Sequence, residues 1–404
     1  KTKYNYRQAI RLDPRNLYLK LDFVETLLGM GEFEKASKLL SQMSSPENQD
    51  AHSKLVHAKM LFWTGDFSAA KKQAERAKKA GSKHAADLLD DIRIARAPQV
   101  SVFGNYADDT QPRQKSEAGT EAEWQRNKWL KLRLLAAGQR FDLDSSTLKT
   151  ALFEIENRIQ VPKTGTEIAV SGGFLNRFAS QTDSPGTNRL ASGTTWTGEL
   201  KLNQRLPFQL KTTISASQKP YLNTLASLDT NIVVKKLTGE IEWREPHGLW
   251  VTAGNQHEFF ADGNRIQTTW IWALTPPLKI DRFSLRAGWA YNFTDSKTSS
   301  FHSEKTLAEL LNPWDSTAQI RGVYDPIFTP EKMETQSALV LLETQISKRI
   351  SLTINAKYGF LASAYNPYLF LDADDSGQVF VARGFQKTKF TPLEYGAKLQ
   401  IRFS

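Results

Sequence analysis

The sequence predicts two domains of different fold class: α-helical repeats over residues 1–96, then an antiparallel transmembrane β-barrel of 14 to 16 strands over residues 97–404. Three observations predict this. A short motif near the start recurs after 34 residues. After Ala97-Pro98 the spacing of apolar residues changes from near 3.6 to strict alternation. In that second part, tight turns alternate with long polar loops.

The helical repeat is marked by Gly31-Glu32-Phe33, which recurs as Gly65-Asp66-Phe67, and by Ala36, which recurs as Ala70. An offset of 34 residues is the period of the tetratricopeptide helix pair. Glycine lets the first helix end in a left-handed conformation, phenylalanine fills the gap between helices, and alanine lets their axes approach. The alternative is an unrelated helical bundle.

Such a solenoid binds other proteins along its concave surface, so we expect a protein partner. The chain opens within a repeat, because Pro14 ends its first helix. Since about three stacked units are needed for stability, we expect more repeats upstream. The basic residues Lys71-Lys72 and Lys78-Lys79 lie among alanines, which indicates a solvated helix face and not a nucleic-acid surface.

The second part is read as strands because apolar residues recur at every second position. In the last segment Leu393, Tyr395, Ala397, Leu399, Ile401 and Phe403 alternate with polar or small residues. The same pattern covers residues 283–293 and 352–360, and shorter versions cover Leu130–Leu134, Phe153–Ile159, Ile168–Phe174, Trp196–Leu202, Phe208–Ala216 and Leu237–Trp243. Strands of roughly 10 residues are long enough to cross a bilayer when tilted.

The connections predict an up-and-down barrel. Tight turns at Val161–Gly165, Arg205–Pro207, Glu245–Gly248 and Thr275–Pro277 take turns with long loops at Ser180–Thr194, Thr294–Glu334 and Tyr365–Thr391. Short turns on one rim and long loops on the other are typical of outer-membrane barrels. Counting passes gives 14 strands, or 16 if the stretch Gln378–Gly384 forms a further pair.

One face of each strand is expected to meet lipid. Amphipathic rings favour the headgroup level, and the expected girdles are Trp124 with Trp129, Trp243 with Trp250, Trp270 with Trp272, Tyr358 with Phe360, and Tyr395 with Phe403. The alternative is an aromatic-rich soluble core, against which the many charges on the other face argue.

The other face is expected to line a hydrated lumen, in which charges cost little. The predicted lumen residues are Lys131, Arg133, Glu154, Glu156, Arg158, Glu199, Lys201, Lys211, Glu240, Glu242, Arg286 and Lys357. Acidic and basic residues are mixed, so the sign of the lining does not identify a substrate.

Sites for catalysis or cofactors are not predicted. There are no cysteines, and the six histidines form no metal-binding spacing. Residues 372–377 open like a calcium loop, but the twelfth position is Arg383 and not glutamate, so an acidic external loop is expected. The segment Ser303–Leu311, with Trp314 and Tyr324 beyond it, is a possible gating loop. No cofactor and no metal are expected.

The combination resembles the outer-membrane exopolysaccharide exporters, which include the cellulose, poly-N-acetylglucosamine and Pel polysaccharide porins. In that family tetratricopeptide repeats run directly into a C-terminal barrel of about 300 residues. Gly322-Val323-Tyr324-Asp325-Pro326 is similar to a loop-to-strand segment of the cellulose exporters, with its proline one residue early. The last strand resembles the aromatic-terminated signal for barrel assembly, with Phe403 as the aromatic and Ser404 after it.

The resemblance implies a passive conduit in the outer membrane of a Gram-negative bacterium, with the repeats in the periplasm. Its partners would be an exopolysaccharide chain, periplasmic or lipoprotein partners of the repeats, and outer-membrane lipid and lipopolysaccharide. Two alternatives stay open. Some repeat-plus-barrel proteins move proteins or lipoproteins to the cell surface. An outer-membrane enzyme would need an exposed Ser/His pair, and none stands out.

Overall fold

The computed structural model describes most of the chain. The described residues are 2–30, 32–43, 50–108, 113–125, 129–143, 146–161, 164–181, 192–222, 227–228, 231–245, 248–297, 301–303, 305–311, 320, 322–324 and 331–403.

The described residues before the barrel form six helices, and each helix packs against the next one in the chain. They are α1 (Thr2–Leu12), α2 (Leu17–Gly29), α3 (Phe33–Gln42), α4 (Ala51–Trp63), α5 (Phe67–Lys79) and α6 (Ala85–Arg96). Asn16, Asp50 and Asp66 begin α2, α4 and α5 by accepting a hydrogen bond from the backbone N–H three residues later. No helix among the described residues is long and apolar enough to span a membrane.

The repeat motif does what its spacing predicts. Ala36 and Ala70 are fully buried, each in the core of its own helix pair, and Phe33 and Phe67 pack against those two cores. Gly65 has a φ of 80°, in the left-handed region that glycine reaches without strain. The two helical cores therefore have equivalent construction.

Eighteen strands follow in the part of the chain that the structure describes. They are β1 (Gln99–Asp108), β2 (Arg113–Gln125), β3 (Leu130–Leu143), β4 (Ser146–Val161), β5 (Thr166–Gln181), β6 (Gly193–Arg205), β7 (Leu210–Pro220), β8 (Val233–Arg244), β9 (Trp250–Phe259), β10 (Arg265–Leu274), β11 (Leu278–Ile280), β12 (Phe283–Ser296), β13 (Phe301–Ser303), β14 (Gly322–Tyr324), β15 (Glu331–Ser347), β16 (Ile350–Ala373), β17 (Val379–Lys389) and β18 (Leu393–Arg402).

Fourteen of these strands close a barrel. Strands β1 to β10 pair in sequence order, β10 pairs with β12, and the ring continues through β15, β16 and β18. Strand β18 then pairs with β1 over the full length of both, from Gln99 opposite Arg402 to Asp108 opposite Leu393. The antiparallel barrel predicted from the alternation is thus confirmed, with 14 strands.

The extra pair considered at residues 378–384 does form, but outside the ring. Strand β17 pairs only with the last part of the long strand β16, from Ser363 opposite Lys389 to Ala373 opposite Val379. The first part of β16 pairs with β18 within the barrel. The β16–β17 hairpin therefore extends from the barrel wall and adds no strand to its circumference.

The barrel has two unlike rims. Gln99 and Arg402 lie at one rim, which we call the terminal rim, and the turns between β4 and β5, β6 and β7, β8 and β9, and β15 and β16 lie there too. The opposite rim, the loop rim, carries all the long connections and also short ones such as residues 260–264. The helices lie at the terminal rim, where Lys348 Nζ is 3.5 Å from Asp91 Oδ1 of α6.

One strand boundary differs from the prediction. Phe208 belongs to the turn between β6 and β7, with a φ of 62°, and β7 begins at Leu210. Pro207 restricts the backbone of this turn, and the Phe208 side chain is exposed there.

The outward face of the barrel is apolar over its middle. Large exposed side chains on this face include Phe153, Ile155, Val170, Trp196, Leu200, Ile214, Leu237, Ile241, Trp289, Val340 and Ile354. An exposed apolar surface of this extent is unstable in water and is typical of the exterior of a transmembrane β-barrel.

Candidate functional site: the inward face of the barrel

All twelve predicted lumen residues lie on the inward face. Cross-strand partners share a face, and the pairs Arg133–Glu156, Glu199–Ser217, Lys211–Glu242 and Lys357–Glu394 place them on the side opposite the exposed apolar residues. Strand β4 shows the contrast: Glu154 and Glu156 are 8% exposed, whereas the outward Phe153 and Ile155 are 37% and 40% exposed. The twelve are distributed over β3, β4, β6, β7, β8, β12 and β16.

A charge network joins four strands near the terminal rim. Glu121 of β2 lies 2.9 Å from Arg133 of β3 and 3.1 Å from Lys398 of β18. Arg133 is 3.8 Å from Glu156 of β4, which pairs with Arg158. Arg158 in turn lies 3.3 Å from Glu123, and Glu123 pairs with Lys131. Acidic and basic groups alternate along this network, so each compensates its neighbours.

Three network members were not predicted: Glu121, Glu123 and Lys398. Apart from Trp124, strand β2 has only alanine, serine, threonine and glutamine on its outward face and so lacks the apolar alternation by which other strands are recognised. The glutamates could have been recognised from the other face of β2. Glu117, Glu121 and Glu123 all occupy odd-numbered positions, which place them on one side of the strand.

The polar lining continues beyond the network through amides, hydroxyls and further charged groups. Glu167 on β5 accepts hydrogen bonds from Gln160 at 2.8 Å and from Asn203 at 3.0 Å, and Asn203 accepts one from Thr213 at 2.8 Å. Glu199 lies 3.3 Å from Lys201 and 3.1 Å from Lys219. A polar band therefore runs from β18 through β1 and β2 to β7 on the inside of the barrel.

Arg286 is inward but is occupied in holding two connections at the terminal rim. Its Nη1 donates to the carbonyl of Gly248 at 2.6 Å and to that of Thr275 at 3.3 Å. Gly248 has a φ of 105°, and a Cβ there would lie 2.8 Å from Pro277. Arg286 thus ties the β8–β9 turn to the end of β10.

Three tryptophans predicted for the lipid girdles face inward. Trp250 pairs with Leu274, Trp272 with Thr252 and Trp270 with Gly254, and this register places all three rings on the same side as the lumen charges. Girdle positions Trp124, Trp243, Tyr358 and Tyr395 are outward and exposed. The girdle prediction is therefore wrong for Trp250, Trp270 and Trp272, because β10 has apolar residues on both faces and its alternation has little contrast.

Described residues of the connection between β7 and β8 pack against the inward wall at the loop rim. Leu222 and Leu228 form one buried cluster with Phe141, Leu148 and Leu175, which are inward residues of β3, β4 and β5. Since β7 and β3 are four strands apart in the ring, Leu222 and Leu228 share a cluster with strands that are not neighbours of β7. Sequence reasoning missed it.

A second buried cluster packs Tyr221, at the start of the same connection, against residues of β8 and β10 and against Phe260. Tyr221 packs edge-on against Phe260 with ring centroids 4.9 Å apart, together with Val234 and Ile266. Thr195 of β6 donates a hydrogen bond to Asn231 at 2.6 Å. Both ends of the connection are thus fixed to the inward wall at the loop rim.

The segment predicted as a gate includes a short strand and a short helix. Phe301–Ser303 pairs with Gly322–Tyr324, and β13 contacts β16. A short helix, Leu307–Leu310, begins at Thr306, whose backbone N–H donates to Glu309 and lowers the pKa of that carboxyl. Trp314 lies outside the described residues, and of Tyr324 only the backbone is described. A gating role for Ser303–Leu311 stays a prediction.

The acidic turn at the tip of the β16–β17 hairpin uses its carboxylate internally. Asp374 accepts hydrogen bonds from the Ser376 hydroxyl at 2.6 Å and from the Gln378 backbone N–H at 2.9 Å, and these lower its pKa. No group of three or more histidine or acidic residues within the described ranges is arranged to hold a metal ion.

Comparison with known proteins gives a sequence match for the helices and structural matches for the barrel. Residues 2–60 match the tetratricopeptide repeat family. No curated protein matches the chain. The chain is similar to a "Bacterial polysaccharide outer membrane secretin" at 8% identity, covering 76% of this chain and 99% of that one, with a TM-score of 0.47.

Two further structures have comparable similarity. A Pseudomonas aeruginosa FadL homologue is 10% identical over 81% of this chain and 94% of its own, with a TM-score of 0.46. The TodX monoaromatic hydrocarbon channel, as a deltaS2 mutant, is 10% identical over 76% of this chain and 90% of its own, with a TM-score of 0.40.

Proposed function

We propose that this protein is an outer-membrane channel that exports an exopolysaccharide chain from the periplasm to the cell surface. The observation that carries the proposal is the lining of the barrel: a band of paired charges and amides on the inside of a closed ring whose outside is apolar. The twelve predicted lumen residues, with Glu121, Glu123 and Lys398, form the translocation path in this proposal.

The chemistry of the lining suits a sliding polymer. Carboxylates, guanidinium groups and amides exchange hydrogen bonds with sugar hydroxyls at little net cost. Glu121, Arg133 and Glu156 already compensate one another, so none of these three positions offers an unpaired charge that would trap the chain. Weak contacts at many positions let a substrate enter and leave.

The two rims have different parts in this proposal. The helices at the terminal rim bind periplasmic partners or guide the polymer, and the terminal rim faces the periplasm. The loop rim faces outward, where the connection containing Leu222 and Leu228 closes the exit until a chain arrives. Ser303–Leu311 is a second element that restricts the exit.

A translocator of proteins or lipoproteins is the second candidate, because it would share the helices and the barrel. Deletion of the gene separates the two. We expect loss of extracellular matrix polysaccharide with surface lipoproteins unchanged. Intact polysaccharide together with loss of a surface protein would contradict export of a sugar chain and support the second candidate.

A further inference from the structure

We propose that the three inward tryptophans, Trp250, Trp270 and Trp272, form a carbohydrate-binding site at the periplasmic mouth of the barrel. The site takes a flat pyranose chain, whose rings have an apolar C–H face and polar hydroxyl edges. This inference rests on the proposed function and extends it by naming the residues that receive the polymer.

The inward tryptophans lie together on one part of the barrel wall. Among the described tryptophans of the barrel strands, Trp124, Trp196, Trp243 and Trp289 are outward, where lipid accounts for them. The three inward ones are all on the neighbouring strands β9 and β10. Exposing apolar indole rings to water in a hydrated lumen is unfavourable. Their concentration on one patch of the inner wall therefore suggests that they bind a ligand.

The rings of Trp250, Trp270 and Trp272 form an extended patch along the inner wall. Trp250 and Trp272 are in edge contact, with ring centroids 5.0 Å apart and planes at 70°. Trp270 lies against the backbone of Gly254, where a Cβ would come within 2.3 Å of its ring. Glycine at this position lets the indole lie close to the wall. Flat rings at successive inward positions, about 7 Å apart along β10, present an extended stacking surface.

Contacts with Arg244 hold the aromatic rings in place. The guanidinium of Arg244 lies 4.0 Å from the centroid of Trp250, and its Nε donates to Glu242 at 2.8 Å. Arg244 thereby orients Trp250, which in turn contacts Trp272. A prepared aromatic surface loses less conformational entropy when a ligand binds than a mobile one does.

The wall opposite the aromatic patch carries the charge network. In the ring of 14 strands, β9 and β10 are seven strands from β2 and β3 in either direction. Trp250 is the first residue of β9 and Lys131 the second of β3, so the aromatic patch faces the charge network at the terminal rim. A chain that enters here meets aromatic rings on one side and charged hydrogen-bonding groups on the other. This cross-section matches the two kinds of surface of a pyranose.

Current block in planar bilayers tests the site. The full chain is inserted, and cellohexaose, a hexameric oligogalacturonate and a polyethylene glycol of similar mass are added at the terminal-rim side. Trp270→Leu and Trp272→Leu keep an apolar side chain but remove the ring. Trp243→Leu and Trp289→Leu, on the outward faces of neighbouring strands, are the matched controls.

We expect cellohexaose to block the wild-type channel and polyethylene glycol not to. Trp270→Leu and Trp272→Leu should each raise the half-blocking concentration roughly 3- to 10-fold, and Trp272→Phe should restore most of the block. The outward controls should behave as wild type. If the inward leucine variants block as well as wild type, or if polyethylene glycol blocks equally well, the site is refuted.

Separate experiments test whether each variant folds and whether the protein exports polysaccharide. Each variant is first shown to keep the heat-modifiable gel mobility of a closed barrel, so that loss of block is not loss of fold. Stronger block by oligogalacturonate, still dependent on Trp270 and Trp272, would support the site and indicate an acidic polymer. If deletion of the gene leaves the matrix polysaccharide intact while the block still depends on these tryptophans, the export proposal fails and the binding site stands.

Discussion

Arg133 Nε lies 2.9 Å from Glu121 Oε1 across the β2–β3 pair, as diagonal neighbours on the inward face. Directly opposite Arg133 in the register is Glu123, which instead pairs with Lys131 and Arg158. The charges are therefore interleaved across strands and not paired rung by rung. This arrangement compensates charge along the wall, and we expect the ion selectivity of the lumen to respond to single substitutions.

The first prediction concerns that selectivity. Arg133→Gln leaves Glu121 and Glu156 with less compensating charge, so the channel should shift toward cation preference, read as the reversal potential in a salt gradient. The double variant Arg133→Gln/Glu121→Gln should return toward wild type. Lys149→Gln, which removes a charge from the outward face of β4, is the control. An unchanged reversal potential in Arg133→Gln would mean that ions do not pass this network.

The second prediction concerns the exit. Leu228 is fully buried against inward residues, and Leu228→Asn places an amide there without a designed partner, at a cost of about 1 to 3 kcal/mol. The connection should detach and single-channel conductance or open probability should rise. Leu307→Asn, in a helix with no buried residues, is the comparison. Equal conductance of Leu228→Asn and wild type would show that the connection does not restrict the pore.

The third prediction tests the remaining gating hypothesis. Deletion of residues 303–311 should raise conductance if this segment covers the pore. The deletion is combined with Leu228→Asn, because two independent obstructions should give a larger increase together than either alone. No change on deletion, in either background, would remove the segment from the pathway.

The fourth prediction concerns the helical core. Ala70 is fully buried at the α4–α5 contact, and Ala70→Leu should destabilise the helices by about 1 to 3 kcal/mol through overpacking. Thermal loss of the helical circular dichroism signal should move to lower temperature while the barrel keeps its gel mobility. Ser68→Leu, at an exposed position of the same helix, should leave the transition unchanged. Equal shifts in both variants would argue against the close approach of these helices.

The fifth prediction concerns pH. Burial of His57 in α4 lowers its pKa below that of the unfolded chain, so the unfolded state binds the proton more readily as pH falls below the usual histidine range. Helical stability should therefore decrease from pH 7 toward pH 5 and part of this dependence should disappear in His57→Gln. Thermal melts across that range measure it. A pH dependence identical in the variant would assign it to other groups.

Much of the fold could be predicted from local patterns. The recurrence of Gly31 and Ala36 at Gly65 and Ala70 identifies helix pairs, because each contact lies within one repeat. The parity of Glu154 and Glu156 against Phe153 and Ile155 assigns strand faces, because adjacent side chains point to opposite sides. Where both faces were apolar, as at Trp270 and Trp272, parity gave the wrong side.

By itself, the sequence determined two helical repeats, a barrel of tilted strands and which side of most strands carries charge, since these follow from periods of 34 and of two residues along the chain. Only the tertiary structure decided that β17 lies outside the ring, that Leu228 and Phe141 belong to one buried cluster, and that Trp250, Trp270 and Trp272 face inward. The reason is that closure and register bring together residues far apart in the chain, and such contacts leave no periodic signal in the sequence.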